Sequence, residues 1–423
     1  MHSRTSEFLS RHGMSPENIE PLAGAEAMLR DMWQGLRGQG GSMAMIPTYL
    51  SNEGNVEPGS CAVVIDAGGT NFRTALLRFE EEGYSLEGLK KQPMPGIGKP
   101  CTWEEFVSFV ADNVEPFMDR ADLIGFCFSY SAEILPDMDG RVHRIDKEVV
   151  VTGSEGQMVG KSLSEELARR GYPGKRVVVL NDTVAVLLGG ASTIDKDAYS
   201  GFIGQVSGTG TNTCATIANR DIEKLDNGSE GSMIINLESG MYDGFKRGDF
   251  DVQLDEKSNN PGQKLMEKLT AGVYLGQLCR LMLNAAADEG LLSPAGAEKV
   301  RALGNIDSAV IDAWASGEGY ENIGDDEADR QLARELSLAL FERSARCMCT
   351  NLVALSLLMD AGREKPVCVL AEGSLVQRGR HYRPVLERLL KECGEVLDIS
   401  IELHVGNDTT QPGSAAAAIL NLK

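Results

Sequence analysis

Twice in this chain an apolar, strand-forming run enters a glycine-threonine turn and leaves it at once as a second strand. The first is Cys61-Ala-Val-Val-Ile-Asp66-Ala-Gly68-Gly69-Thr70-Asn71-Phe-Arg73-Thr-Ala-Leu-Leu. The second is Phe202-Ile-Gly-Gln-Val-Ser207-Gly208-Thr209-Gly210-Thr211-Asn212-Thr-Cys-Ala-Thr-Ile. Glycine at such turns adopts positive φ and keeps side chains out of the way, so backbone N–H groups can close around an anion. The threonine hydroxyls add donors, and Asp66 beside the first turn is placed to hold a metal-bound water. Two such hairpins about 140 residues apart predict two lobes gripping one polyphosphate.

The length and charge narrow what those lobes can do. A chain of 423 residues exceeds one compact core, so two domains are expected. The net charge of −21 argues against nucleic acid, because nothing compensates the phosphate repulsion. A phosphorylated ligand must then be held by local dipoles and a divalent cation, as in an ATPase or a kinase. With five histidines, no HExxH and no paired CxxC, a zinc site is not expected. Cys61, Cys127, Cys214 and Cys368 lie in apolar strand-like runs, as reduced buried thiols do. Cys347 and Cys349 share a helical stretch in which i and i+2 face apart, which reads as packing. There is no leader-like N-terminus and no apolar run of membrane-spanning length, so the chain is read as cytoplasmic.

Helical spacing of Ala25, Met28, Leu29, Met32, Trp33 and Leu36 predicts an N-terminal helix. Beyond Cys61 the pattern alternates between strands and helices, with helices near Trp103–Met118 and Ser162–Arg170 and strands over Leu123–Tyr130 and Arg176–Leu180. From Pro261 to about Leu358 the chain reads as mainly helical. A strand over Val367–Leu370, a helix over Tyr382–Lys391, a strand over Ile399–Leu403 and a small-residue helix over Gly413–Leu420 follow. Gly156-Gln-Met-Val-Gly160-Lys161-Ser162 falls one residue short of a P-loop and follows no strand. It reads as a loop entering a helix with Ser162 near its cap.

Asn181-Asp182-Thr183 directly follows the apolar strand Val177-Val-Val-Leu180, at the kind of strand end where open α/β sheets place ligands. Asp182 there suits either a base that takes a proton from an attacking hydroxyl or an Asx cap on the next helix, and the two can coexist. Asn407-Asp408-Thr409 repeats the tripeptide and reads as a turn. Glu238 emerges from the end of Met233-Ile-Ile-Asn-Leu237, either as a solvated turn residue or as a ligand group. Glu267 is expected in the first turns of a helix begun by Asn260-Pro261-Gly262, extending the stripe Ala271, Tyr274, Leu278. It is either a helix-dipole complement or a carboxylate for a polar ligand. Two such acceptors with asparagine amides are what sugar hydroxyls require.

At this point the chain resembles the hexokinase/glucokinase family of the actin-like ATPase superfamily. The resemblance rests on six blocks in order: Asp66–Arg73, Gly125–Ser129, Leu180–Thr183, Ser207–Asn212, Asn236–Gly240, and Asn260–Leu269 continued by Gly272–Leu281. It implies a two-lobed α/β, ribonuclease H-like fold with a central ligand cleft and a helix-rich large lobe. Residues 1–57 would form a helical segment on the large lobe, 58–186 the small lobe, 187–408 the large lobe, and 409–423 a helix returning to the small lobe. The implied activity is transfer of the γ-phosphoryl of MgATP to the 6-hydroxyl of a hexose, in carbohydrate metabolism and glycolysis.

The same resemblance assigns roles residue by residue. Asp182 would be the general base and Lys147 would lie near the transferring phosphoryl. Ser129, Asn181, Asn212, Glu238 and Glu267 would bind the sugar. Asp66 would act on the Mg2+ shell through water. Gly68, Gly69, Thr70, Asn71, Arg73, Gly208, Thr209 and Gly210 would serve the phosphates, and Gly373 and Ser374 would line the adenosine side. The expected partners are hexose and MgATP, without nucleic acid or membrane, in a monomer or homodimer. The family pattern is altered at Asp146, Ser131, Glu372 and the Asp408–Gly413 segment. The main alternative is a hexokinase-like sugar sensor or scaffold with little turnover. A non-sugar ATPase would not be expected to keep Asn212, Glu238 and Glu267 together.

Overall fold

The computed structural model describes residues 3–145, 149–225, 228 and 230–422. It divides into two compact units. One, here the sheet unit, takes residues 45–205, 214–236 and 406–423; the other, the helical unit, takes 1–44, 206–213 and 237–405. The chain passes from one unit to the other inside the strands Gly201–Ser207 and Thr211–Ala218.

The sheet unit is built on five strands in the order Arg176–Leu180, Leu123–Phe128, Cys61–Gly68, Asn71–Phe79, Tyr84–Pro93. The first two junctions are parallel and the last two antiparallel. Side chains alternate across a strand. Val63, Ile65, Ala67, Ile124, Phe126 and Phe128 therefore point to one face, where they share a core with the helices Trp103–Val114 and Val159–Arg169. The first of these helices starts at a capping box in which the Thr102 hydroxyl accepts from Glu105 N–H and the Glu105 carboxylate accepts from Thr102 N–H.

Gly125 faces the other way and meets the helix Thr410–Asn421. A Cβ on Gly125 would collide with the Ser414 carbonyl, and one on Gly413 with the Ala185 carbonyl of the helix Asp182–Ala191. Backbone therefore packs on backbone, and Ala415 to Ala418 are wholly buried.

The helical unit gathers around Glu327–Leu358, buried on nearly all sides and capped by Asp326, whose carboxylate accepts from the N–H groups of Ala328 and Asp329. Helices Pro21–Leu36, Leu265–Thr270, Gly272–Asp288, Ser308–Ala315 and Tyr382–Leu397 pack on it. Arg343 on the long helix is fully buried and forms a two-pronged pair with Asp251, at 3.1 and 2.5 Å. Strands Val367–Glu372 and Ile401–Val405 pair in parallel. Among the described residues no helix is long and apolar enough to cross a membrane.

Several expectations are corrected. The helix expected at Ser162 begins at Val159 after Met158, so Ser162 is a turn inside it. Its cap comes from elsewhere: the buried Asp139 carboxylate accepts from Gly160 N–H at 2.5 Å and Lys161 N–H at 2.8 Å. The segment Asn260–Lys264 is not helical. Gly262 (φ 76°) and Lys264 (φ 52°) turn the backbone to the left-handed region, and the helix carrying Glu267 is the short Leu265–Thr270. A new helix starts at Gly272, so the stripe Ala271, Tyr274, Leu278 belongs to the next element. The strand expected to reach Tyr130 ends at Phe128. Cys61 is only half-buried, whereas Cys127, Cys214 and Cys368 are buried.

Candidate functional site

In the sheet unit the first hairpin forms as expected, with Gly68 paired to Asn71 across the two-residue turn Gly69-Thr70. Gly69 adopts φ 58°, which only glycine takes readily, and a Cβ there would meet nothing within 4 Å. Thr70 and Asn71 are exposed. Asp66 and Arg73 face each other across the same two strands at 3.6 Å, with side chains 18% and 33% exposed. Ser129 lies beside this turn, its N–H donating to the Ala67 carbonyl and its Oγ 3.4 Å from where a Cβ on Gly68 would sit.

Asn181 and Asp182 stand at the carboxyl end of Arg176–Leu180, in the same unit. Asn181 is the helix cap, its Oδ1 accepting from Thr183 N–H at 2.7 Å. Asp182 is the first helical residue. Its Oδ1 accepts from Thr183 N–H at 2.7 Å and from the Thr183 hydroxyl at 3.2 Å, in the positive field of the helix start. Of the two local readings of this tripeptide, the cap falls to Asn181, which leaves Asp182 half-buried and oriented by its neighbour.

The helical unit holds the second hairpin turn with both glutamates. Asn212 Oδ1 accepts from Ser239 N–H at 3.2 Å. Glu238 immediately before adopts φ 56°, ψ 45°, an uncommon conformation for a glutamate and a local cost of order 1 kcal/mol. Glu267 Oε2 lies 3.5 Å from Thr211 N and 3.3 Å from where a Cβ on Gly210 would be, and its own Cβ packs on Gly240. Lys264 approaches its Oε1 at 3.6 Å. Asn212, Glu238 and Glu267 are thus brought to one place, against the turn Gly208-Thr209-Gly210, whose Thr209 is exposed. On the far side of that turn lies Gly373, at φ 117°. A Cβ there would strike the Ser207 carbonyl, and Ser374 N is 3.3 Å from where a Cβ on Gly208 would sit.

The support beneath Glu267 could not be read from sequence. Asp255 accepts from Gly262 N–H and from the buried Lys268 ammonium at 2.6 Å, and Lys268 also donates to the Asn260 carbonyl. These bonds fasten the turn on one side of Glu267 to the residue on its other side. A second missed residue is Tyr130, whose hydroxyl donates to the Gly69 carbonyl at 2.7 Å. Its only sequence signal is adjacency to Ser129. Lys147, assigned beside the transferring phosphoryl, lies outside the described residues, as does Asp146.

Among the described residues no group of three or more His, Cys, Asp or Glu could hold a metal ion. Mg2+ keeps several waters and commonly takes one or two carboxylates plus substrate phosphates, and the Asp66 carboxylate beside the Gly69-Thr70 turn is a group of that type.

Two sequence models described as Hexokinase match residues 5–192 and 202–420. Hexokinase-1 of Saccharomyces cerevisiae is 28% identical over 427 residues, covering 92% of this chain and 86% of the yeast protein. Hexokinase-1 of Nicotiana tabacum is 27% identical over 456 residues, covering 98% and 90%. A crystal structure of hexokinase matches with a TM-score of 0.83 at 20% identity over 100% of both chains. The hexokinase from Schistosoma mansoni, complexed with glucose, matches at 0.76 and 20% over 98% of this chain and 99% of that one. At such identities the structural matches establish the fold, that of the actin-like ATPases. The sequence matches run from residue 5 to residue 420 in the same order as the two hairpins, and on that ground the chain belongs to the hexokinase family.

Proposed function

We propose that this chain is an ATP-dependent hexose kinase, transferring the γ-phosphoryl of MgATP to the 6-hydroxyl of glucose or a related hexose. The observation that carries this reading is the gathering of Asn212, Glu238 and Glu267 against the Gly208–Gly210 turn inside one unit. Carboxylates and an amide suit sugar hydroxyls, and a glycine turn suits phosphate. A site that pairs each hydroxyl rejects an analogue lacking one, because a buried acceptor is then left unmatched.

In the proposed step Asp182 accepts the proton of the sugar 6-hydroxyl. Thr183 engages Oδ1, so we assign the proton to Oδ2. The O6–H bond breaks as O6 bonds to the γ-phosphorus, and the bond from that phosphorus to the bridging oxygen breaks to release ADP. Asn181, with Oδ1 engaged as the cap, would offer its amide N–H groups to the sugar, alongside Ser129. Arg73 and the Gly68–Asn71 turn would bind one part of the polyphosphate, and Gly208 to Gly210 another. Gly373 and Ser374 would lie along the adenosine. A divalent cation bound with the nucleotide would supply positive charge to its phosphates, with Asp66 holding it through water. Lys147 is assigned near the transferring phosphoryl by its match to the family.

ADP release measured with a panel of hexoses tests the reading. Sugar-stimulated release is expected. Sugar-independent release would instead identify an ATPase, and sugar binding without release a sensor. Asp182→Ala is expected to bind hexose within about threefold of the parent while losing at least about a hundredfold in kcat. Turnover near the parent level would remove Asp182 from the base role.

A further inference from the structure

Three bonds that reach the first phosphate turn from outside its hairpin help to hold it, and one of them comes from a side chain outside the proposed machinery. Ser129 N–H donates to the Ala67 carbonyl at 3.1 Å and Met94 N–H to the Thr70 carbonyl at 3.0 Å. Between them, the Tyr130 hydroxyl donates to the Gly69 carbonyl at 2.7 Å. Tyr130 is 7% exposed, and its ring packs on Phe128 with centroids 5.2 Å apart. Phenylalanine would fill that space equally well, so the hydroxyl is the feature that calls for a role.

Peptide geometry supplies one. Among the described residues no peptide is cis, and across a planar trans peptide the carbonyl and the following N–H point in opposite directions. Tyr130 draws the Gly69 carbonyl toward its own buried ring. The Thr70 N–H is thereby turned to the other side, at an exposed residue next to a glycine whose missing Cβ leaves open space. We propose that Tyr130 is a positioning residue for the nucleotide: its hydroxyl fixes the Gly69–Thr70 peptide so that the Thr70 N–H stands ready to donate to a phosphate oxygen. The proposal rests on the hexose kinase reading of this turn. It also makes Ser129 and Tyr130, consecutive residues, serve the two substrates separately, one the sugar and the other the phosphates.

Magnitude separates this role from an absolute requirement. Flipping the Gly69–Thr70 peptide would carry Thr70, whose φ is not positive, toward positive φ, which a β-branched residue resists. The hydroxyl therefore reinforces a preference already present in the turn. Loss of one neutral hydrogen bond then corresponds to roughly a 3- to 10-fold effect.

Tyr130→Phe tests this without disturbing packing. The expected result is a KM for MgATP raised about 3- to 10-fold with a hexose KM within about twofold of the parent. A purely structural hydroxyl would leave the MgATP KM at the parent value; that result, or a rise confined to the hexose KM, overturns the proposal. Calorimetric binding of MgATP to parent and variant separates this inference from the reading beneath it. If the parent releases no ADP in response to sugar, the kinase reading fails. Weaker MgATP binding by the variant would still uphold the role of Tyr130, and equal binding would end it. A parent that binds no MgATP overturns both.

Discussion

At the scale of single residues, the proposed sugar site depends on groups that never touch the sugar. Lys268 is 3% exposed and follows Glu267 directly; its ammonium is spent on Asp255 and the Asn260 carbonyl. Burial pushes the Asp255 carboxyl up, but Lys268 and the Gly262 N–H outweigh it and hold the group below its usual range. Such an acid contributes stability above its unfolded value, about 3.9, and loses that contribution as pH falls through the depressed folded value. Lys268→Met leaves the carboxylate with only part of its partners. We expect it to cost about 3 kcal/mol in urea unfolding at pH 7, with the deficit shrinking in acid as the parent's own pair is lost. A constant deficit down to pH 3 would mean that packing, not charge pairing, is what Lys268 supplies. Glu238 differs: its left-handed backbone directly precedes Ser239, whose N–H Asn212 fixes. Neither the strain nor the fixing bond has a local sequence signature.

At the scale of elements, what could be read in advance were features decided within about ten residues. The two hairpins, the start of a helix directly after Leu180 and the helix at Pro21–Leu36 follow from turn chemistry and periodicity, although the cap expected of Asp182 falls to Asn181. The remainder required partners distant in the chain. Asp139 caps a helix twenty residues later, Asp255 shapes the turn before Glu267, and Cys349 meets not Cys347 but Cys393, with sulfurs 3.8 Å apart.

The helix Ser3–Arg11 is fastened in the same way. His12 at its end bonds Asp249 through Nδ1 at 2.8 Å and Glu289 through Nε2 at 2.7 Å, while Arg11 also pairs with Glu289. A neutral imidazole donates from one nitrogen only, so satisfying both carboxylates favours the protonated ring. Burial pulls the His12 pKa down, but the two carboxylates more than reverse this and raise it above 6.5. The clamp therefore contributes fully below pH 6.5 and is lost as pH rises through the folded value. Hydrogen exchange in Ser3–Arg11 is expected to accelerate, relative to the long helix, as pH rises from 6 to 9 after correction for intrinsic rates. His12→Gln should show no such pH dependence. Equal behaviour of the two proteins would detach the helix from the histidine.

At the scale of the whole molecule, the net charge of −21 sets a field that the two turns proposed to bind phosphate must overcome locally. MgATP is itself anionic, so its approach is opposed over a Debye length of about 30 Å at 0.01 M salt, and far less at the roughly 8 Å of 0.15 M. Raising salt across that range at constant free Mg2+ is expected to increase kcat/KM for MgATP about two- to fivefold. Hexose, being uncharged, should show no change in KM. A fall in kcat/KM for MgATP would mean that local positive groups, and not the overall charge, govern its approach.

The place of the helix Thr410–Asn421 bears on how the protein is made. The strands of the five-stranded sheet are all synthesised by Leu180, yet the helix that covers its Gly125 face comes only after the whole stretch 237–405 of the other unit. At the usual pace of translation, about 5–20 residues per second, the sheet waits roughly 10–50 s on the ribosome with that face bare. A nascent chain paused anywhere before residue 410 would present unpaired apolar surface to the chaperones around it, however well its strands had already formed.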